Sequence, residues 1–394
     1  VYALAGLGVS IQKLVQTALE APRLPGVFRP TSYENYVIFK QSFLHLIHET
    51  NIYTSFPLEQ WDLYKYSPAF AMCMEPFYML PDAIGLPIWN LLNALLPLFA
   101  LLSLPVLDDK QKVFCAWFIL PELVISLQNC QSNGLTLGLL LLAFTAFEGG
   151  KPARAALLIT GTAFIKIFGI AAALLAFLYP KTRKFAGYSI GWTLVFALAP
   201  ILLTSPEYLG QLYVWWAELL RNDHVASVGL SVHGWLESWF GFEPPKMTLT
   251  VIGLGALAAS VYAGIPGVFK ARIFPADPPA GPSGAPVFRI LAWASILLWV
   301  VLFNHKAESP TFVIAMCGAA FWYVSSERTT WQTSLLWIAF IFSSLSPTDI
   351  FPRYLREHLV QPYVLKAVPL ILIWGVVSYQ LFTWKQNGQP ETHA

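Results

Sequence analysis

Charge is what this chain has least of. Only 12% of its 394 residues are Asp, Glu, Lys or Arg, while 56% are apolar or aromatic. A soluble domain carries about 25% charged residues. A chain this poor in charge cannot coat a water-facing globule of its size, which excludes an ordinary cytosolic enzyme and a disordered protein. Cysteine is scarce too: Cys73, Cys115, Cys130 and Cys317 are scattered through apolar stretches with no CxxC pair. That excludes a zinc ribbon and a disulfide-framed secreted domain and leaves the four as small packing residues. An excess of one charge sign is missing as well, and a net charge of +2 gives no case for nucleic acid as a partner. There is no P-loop, no dinucleotide GxGxxG, no HExxH and no nucleophile elbow, so direct use of ATP is not indicated. Nor is there a DxD motif in a soluble domain, so a sugar donor, if one is used, would be lipid-linked. The chain opens at Val1 inside an apolar run, where no cleavable signal peptide is recognised.

What is present is a series of long apolar runs. A bilayer core of about 30 Å needs about 20 apolar residues per helix. Twelve candidate spans follow: 1–19, 69–80, 86–107, 113–127, 135–147, 155–178, 185–203, 247–269, 287–303, 311–324, 331–345 and 363–384, or ten if two short ones are re-entrant. The expected fold is all-α, a polytopic transmembrane helical bundle forming one integral membrane domain over 1–394, because open strands would leave backbone groups unpaired in lipid. Basic residues in short loops set the orientation. Lys181, Arg183, Lys184, Lys270, Arg272, Arg289, Arg328 and Lys385 mark a cytoplasmic side, with a Pro/Gly-rich linker over 270–286. That assignment puts Lys110, Lys112, Lys151 and Arg154 on the outer face, against the rule. Two long aromatic-rich outer loops result, 20–68 and 205–246, and long structured loops on one face tend to carry function. Within residues 33–49, Tyr36, Val37, Phe39, Phe43, Leu44, Leu46 and Ile47 recur at helical spacing. This predicts an amphipathic helix lying along the membrane surface.

Chemistry-bearing residues cluster in the loops. Glu34 and Asp62 of the first outer loop are alternative general bases, since a carboxylate beside apolar surface gains proton affinity; a solvated surface helix and turn is the plain alternative. Four amides lie in the run Gln128-Asn129-Cys130-Gln131-Ser132-Asn133, either a hydrophilic turn or a set of groups for sugar hydroxyls and helix ends. Lys166 falls in the middle of 155–178, where an ammonium is costly unless it faces a wet cavity or pairs with Glu122 or Glu148. His305, Lys306 and Glu308 crowd one short loop between spans. Arg353 and Arg356, at i, i+3, would share a helix face and could fork onto a phosphate or pair with Asp349 and Glu357.

In order, these residues resemble the polyprenyl-phosphate-sugar-dependent glycosyltransferases of the GT-C fold, and among them the bacterial membrane mannosyltransferases of glycosyltransferase family 87. That family pattern has an acidic residue in the first outer loop with a Leu-Tyr-like pair 18 positions on, matched here by Ile52-Tyr53, which puts Asn35 at the acidic position. Tyr66-Ser67-Pro68 is similar to its Tyr-Pro-Pro, Cys130-Gln131-Ser132-Asn133 to its Gly-Gln-x-Asn, and Lys166-Ile167-Phe168-Gly169 to its Lys-x-x-Pro; His305 is similar to a late outer-loop histidine. The resemblance implies sugar transfer from a polyprenyl phosphate to a lipid or glycan hydroxyl at the non-cytoplasmic face, with inversion. It implies partners in the bilayer, a lipid-linked donor and an acceptor, and neither a cofactor nor a metal. Glu34 or Asp62 would then take the acceptor proton, and His305, Lys306, Arg353, Arg356 and Lys166 would meet the phosphate charge. Asn35, Tyr64, Lys65, Tyr66, Gln131, Asn133 and Glu308 would hold sugar or acceptor hydroxyls. A lipid or polysaccharide-precursor flippase and a non-catalytic scaffold are the rival readings. The flippase reading expects an inverted repeat and a central cavity; the transferase reading expects an outer cavity meeting one lateral lipid groove.

Overall fold

The computed structural model describes residues 1–19, 31–60, 62–222, 229–263 and 286–384. Trp61, nearly all of the 270–286 linker with Lys270 and Arg272, and Lys385 lie outside the described residues. The described residues are all-α and contain no strand.

The helices are α1 (Tyr2–Leu19), α2 (Glu34–Ile47), α3 (Pro68–Met72), α4 (Glu75–Met79), α5 (Asp82–Leu102), α6 (Asp109–Gln128), α7 (Asn133–Glu148) and α8 (Pro152–Ile165). A 3-10 segment, Ile167–Leu178, precedes α9 (Thr182–Leu198), α10 (Pro206–Asn222), α11 (Val232–Phe240) and α12 (Lys246–Ala263). After these come α13 (Pro286–Leu302), α14 (Phe312–Ser325) and α15 (Thr330–Ala339), which widens into a π-helix over Phe340–Leu345. A short α16 (Arg353–Leu355) and α17 (Val368–Phe382) complete the described chain.

Helix α13 is the centre of the larger core. Every residue from Phe288 to Leu302 is buried, as an all-round apolar helix must be. It packs against α14, α17, α12 and the 3-10 segment. At its start, Arg289 donates to both oxygens of Glu148 at 2.7 and 2.9 Å, and the Tyr179 hydroxyl donates to the same carboxylate at 2.5 Å. A second core gathers Tyr36, Phe39, Phe43, Tyr64, Phe70, Trp89 and Leu212 from α2, α3, α5, α10 and the loop before α3.

Two spans expected from hydropathy are built differently. Residues 69–80 do not form a span. Pro68, Pro76 and Pro81 divide the stretch into two five-residue helices, and Leu80 is extended before Pro81, as a residue before proline tends to be. Residues 155–178 are two segments that double back on one another, not one continuous helix. Helix α8 stops at Ile165, Lys166 is extended (φ −137°, ψ 111°), and the chain returns as the 3-10 segment to Tyr179 beside Glu148. At 1.5 Å per residue α8 covers about 21 Å. At 2.0 Å per residue the return covers about 24 Å. Lys166 therefore stands at the tip of a hairpin, not midway along a span.

Among the described residues two helical stretches, Asp82–Leu102 and Thr182–Leu202, are long and apolar enough to cross a bilayer, and the other apolar helices are shorter. Helix α6 rises from Lys110 and Lys112 to Gln128, α7 returns to Glu148, and α14 descends to Val324, whose carbonyl accepts from Gln111 at 2.9 Å. Lys110, Lys112, Lys151, Arg154, Lys181, Arg183, Lys184, Arg289 and Arg328 thus share one end. The opposite face expected for Lys110, Lys112, Lys151 and Arg154 is corrected, because 69–80 does not cross. Helix α2 forms close to the expected bounds, but its apolar side is covered by protein: Tyr36, Val37, Ile38, Phe39, Phe43 and Leu46 are buried, and it packs on α3 and α4.

Candidate active site

The amide-rich turn after α6 has a defined cap. Cys130 N–H donates to Leu127 and Gln131 N–H to Ser126, the paired bonds of a Schellman motif. Cys130 occupies the left-handed position at φ 51°. The Trp89 indole donates to the Cys130 carbonyl at 2.9 Å, and the Asn35 amide donates to the Asn129 carbonyl at 2.9 Å. Beyond the turn, α7 begins close against α5: a Cβ at Gly134 would overlap the Asn93 carbonyl. The Asn93 side chain accepts from Leu135 N–H at 2.8 Å. The start of α7 is fixed from both sides, and with it Asn133.

Asn133 is the partner of Lys166. Nζ donates to Asn133 Oδ1 at 2.6 Å and stands 6.0 Å from the centre of the Tyr66 ring. Tyr66 follows Asp62, Tyr64 and Lys65 on the loop that leads into α3. The Asp62 carboxylate accepts from Leu63 N–H at 2.7 Å and pairs with Lys65 Nζ at 3.1 Å. The Tyr66 hydroxyl donates to Gln131 Oε1 at 3.2 Å, and Gln131 Nε2 donates to Glu308 Oε2 at 3.4 Å. A chain of hydrogen bonds thus joins three separate loops. Tyr64 turns inward and donates to the Ser67 carbonyl at 2.8 Å. Burial pushes the Tyr64 and Tyr66 phenols above the usual tyrosine range, so both remain protonated donors at neutral pH.

The remaining side of the site is the loop between α13 and α14. Asn304 folds it by accepting from Lys306 N–H on Oδ1 at 3.0 Å and from Ala307 N–H on its carbonyl at 2.9 Å. His305, Lys306 and Glu308 follow this turn. Helix α10 reaches the loop before α3, where Trp216 donates to the Lys65 carbonyl at 3.3 Å.

Between these elements lies a cavity of about 250 Å³ lined by Asn35, Asp62, Lys65, Tyr66, Gln131, Lys166, His305, Lys306 and Glu308, with Trp216, Asn304 and Thr311 among the other walls. Nine of the residues singled out in the sequence therefore converge. Five do not line the cavity. Glu34 is buried at the start of α2, where it accepts from Thr31 N–H and serves the helix end. Tyr64 and Asn133 support lining residues from behind. Arg353 is 80% exposed and pairs with Glu357 at 2.7 Å. Arg356 faces Asp349 at 3.7 Å and donates to the Thr348 carbonyl at 3.1 Å. The arginine pair serves the surface of 349–357, not the cavity. Trp216, Asn304 and Thr311 were not singled out in the sequence; the Trp-rich helical pattern of 206–222 was the signal for the first, and adjacency to His305 for the second. Among the described residues no three His, Cys, Asp or Glu side chains come together as a metal site.

A second cavity, of about 360 Å³, is bounded by apolar side chains that include Phe70, Phe77, Trp89, Leu139, Phe164 and Phe196. Ile165, the last residue of α8, belongs to the walls of both. The polar cavity and the apolar slot stand back to back at the tip of the α8 hairpin.

No curated protein matches the chain as a relative. The sequence model of glycosyltransferase family 87 matches residues 64–326. Tyr66, Gln131, Lys166, His305, Lys306 and Glu308 fall inside the match, and Asn35 and Asp62 precede it. With about two thirds of its length covered and the polar cavity built largely from the covered part, the chain belongs to glycosyltransferase family 87.

Proposed function

We propose that this glycosyltransferase is embedded in a membrane and transfers a hexose, mannose by family resemblance, from a polyprenyl-phosphate donor to a lipid or glycan hydroxyl. The reaction takes place at the non-cytoplasmic face of a bacterial inner membrane and inverts the anomeric carbon. The observation that carries this reading is the shared Ile165 wall: a polar cavity for sugar and phosphate adjoins an apolar slot for a prenyl chain. Membrane embedding is supported by the apolar side chains left exposed. Leu4 and Ile11 on α1, Ile84, Ile88, Leu95 and Phe99 on α5, and Ile190 and Leu194 on α9 face outward. Patches of this extent are unsuited to water. Two helical stretches, Asp82–Leu102 and Thr182–Leu202, are long and apolar enough to cross a bilayer, and shorter apolar helices accompany them. Basic residues gathered at the end away from the cavity support a cytoplasmic assignment for that end.

In this mechanism the acceptor hydroxyl lies against Asp62. The hydroxyl oxygen attacks the anomeric carbon from the face opposite the phosphate, and Asp62 takes its proton. The new O–C1 bond forms as the C1–O bond to phosphate breaks, and the electron pair leaves with the prenyl phosphate. Lys166 and Lys306, with His305 beside them, offset the charge that develops there. Gln131, Tyr66 and Glu308 hold hydroxyls of the sugar. Asp62 is preferred over Glu34 as the base because it lines the cavity, while Glu34 is committed to the start of α2.

The test is incubation of the purified protein, in bilayer discs, with defined prenyl-phosphate hexoses and membrane lipid acceptors. Product formation from at least one donor is expected. Movement of the donor between leaflets with no new glycosidic bond would replace this reading by lipid transport.

A further inference from the structure

We propose that His233, which lies outside the cavity, is a positioning residue for His305. The proposal rests on the role given to His305 above. The segment 229–233 of the second outer loop lies directly on the loop that carries His305. Leu230 N–H donates to the Ala307 carbonyl at 3.0 Å. One residue earlier, a Cβ on Gly229 would overlap the His305 carbonyl, so a glycine is what lets the two backbones approach. The Ser231 hydroxyl then caps α11 by accepting from Gly234 N–H at 3.4 Å, which places His233 in the first turn of the helix.

From there the His233 ring meets the His305 ring edge to face, with centroids 6.2 Å apart and planes at 73°. This is a favoured arrangement of two aromatic rings. The His233 ring is itself anchored. Its Nε2 lies 3.2 Å from the Lys246 carbonyl. A carbonyl only accepts, so Nε2 carries the proton and the ring is held in one orientation. Burial holds His233 below the usual histidine range; the hydrogen bond to the Lys246 carbonyl opposes it without reversing it, and the smaller effects of the Lys246 ammonium and Glu237 act in opposite directions. His233 is therefore neutral at neutral pH and does not repel a charged His305. His233 is absent from the cavity wall, whereas His305 is part of it. A ring anchored at its far edge, behind a cavity-lining ring, limits where that ring can swing.

His233→Gln and His233→Phe divide the two features. Glutamine keeps a donor for the Lys246 carbonyl and removes the ring; phenylalanine keeps the ring and removes the donor. A displaced catalytic group costs up to about 100-fold per 1 Å, so a loosened one is expected to lower kcat about tenfold in His233→Gln with donor KM little changed. His233→Phe, which keeps the ring contact but loses its anchor, recovers part of that loss, and both variants unfold close to the temperature of the parent. The reading independent of catalysis is the rate at which diethyl pyrocarbonate labels His305, followed by peptide mass spectrometry. Labelling is expected to be faster in His233→Gln and in Gly229→Ala, and intermediate between these and the parent in His233→Phe. An unchanged His305 labelling rate in His233→Gln overturns the proposal, whether or not the protein transfers sugar. Faster labelling in a protein that transfers nothing upholds the contact and removes only the catalytic role assigned to His305.

Discussion

Lys166 and Asn133 meet at 2.6 Å where one apolar segment ends and the chain reverses into the next. The contact holds a cation at the junction of the polar cavity and the apolar slot. Lys166→Met removes that cation and leaves the side-chain volume nearly unchanged. A hydrogen bond to a charged group contributes about 1.5–3 kcal/mol, so kcat/KM for a prenyl-phosphate donor should fall about 10- to 100-fold. Lys166→Arg should restore only part of it, since a planar fork does not replace a compact ammonium. Steady-state kinetics across the three proteins check this, and unaltered kinetics in Lys166→Met would remove Lys166 from the site.

Cys130 holds the left-handed position of the cap after α6. The family pattern has glycine at this place, and the backbone explains why. A left-handed residue other than glycine costs about 1–2 kcal/mol. The Cys130 side chain is fully buried and returns about the same through packing. Cys130→Gly should therefore be close to neutral in thermal stability. Cys130→Val, which adds a β-branch at the same φ, should unfold at a clearly lower temperature and weaken catalysis by moving Gln131.

A second buried pair lies away from the cavity. Lys366 Nζ donates to Glu122 Oε1 and to the Ser343 carbonyl, each at 2.7 Å, with almost no exposure of either charged group. Removing one partner of such a pair costs about 3–5 kcal/mol, while replacing both by apolar residues is often neutral. Glu122→Gln or Lys366→Met alone should thus lower the unfolding temperature, and Glu122→Leu with Lys366→Met should recover much of it. Additive losses in the double variant would contradict the coupling.

The apolar slot gives a test of donor chemistry. A Cβ on Gly161 would lie 3.6 Å from the Phe196 ring, in ordinary contact, so there is room at that wall for a first carbon but little beyond it. Gly161→Leu should project into the slot. The KM for a long prenyl-phosphate donor should rise, and a donor with a single isoprene unit should be affected less. Equal effects on both donors would separate the slot from the lipid chain.

Part of this structure is legible in the amino-acid sequence, and the rest is hidden for physical reasons. Helix α2 was legible from its apolar period, although composition could not say whether protein or lipid covers that face. The reversal at Lys166 was not, because the return segment is as apolar as α8 and hydropathy carries no direction. Residues 69–80 are expected as a span because Pro68, Pro76 and Pro81 act on backbone geometry and leave the hydropathy high. The two acids considered as partners for Lys166 each have another cation: Glu122 pairs with Lys366 and Glu148 with Arg289. Sequence distance gave no means to sort these pairs, which lie 244 and 141 positions apart. Arg353 and Arg356 were recognised at helical spacing, yet acids on the same stretch take them. Asp62, Gln131, Lys166, His305 and Glu308 were legible as polar residues beside apolar runs, since few other polar groups occur there.

Asp62 and Glu34 offer the most direct measurement. With a prenyl-phosphate hexose donor that the parent protein uses, Asp62→Asn should lower kcat by about 100- to 10,000-fold, the range for loss of a general base. Glu34→Gln should act mainly on thermal stability through the start of α2 and leave kcat within a few-fold. Full turnover in Asp62→Asn, with activity lost in Glu34→Gln at unchanged stability, would contradict the assignment of the base and of the cavity it lines.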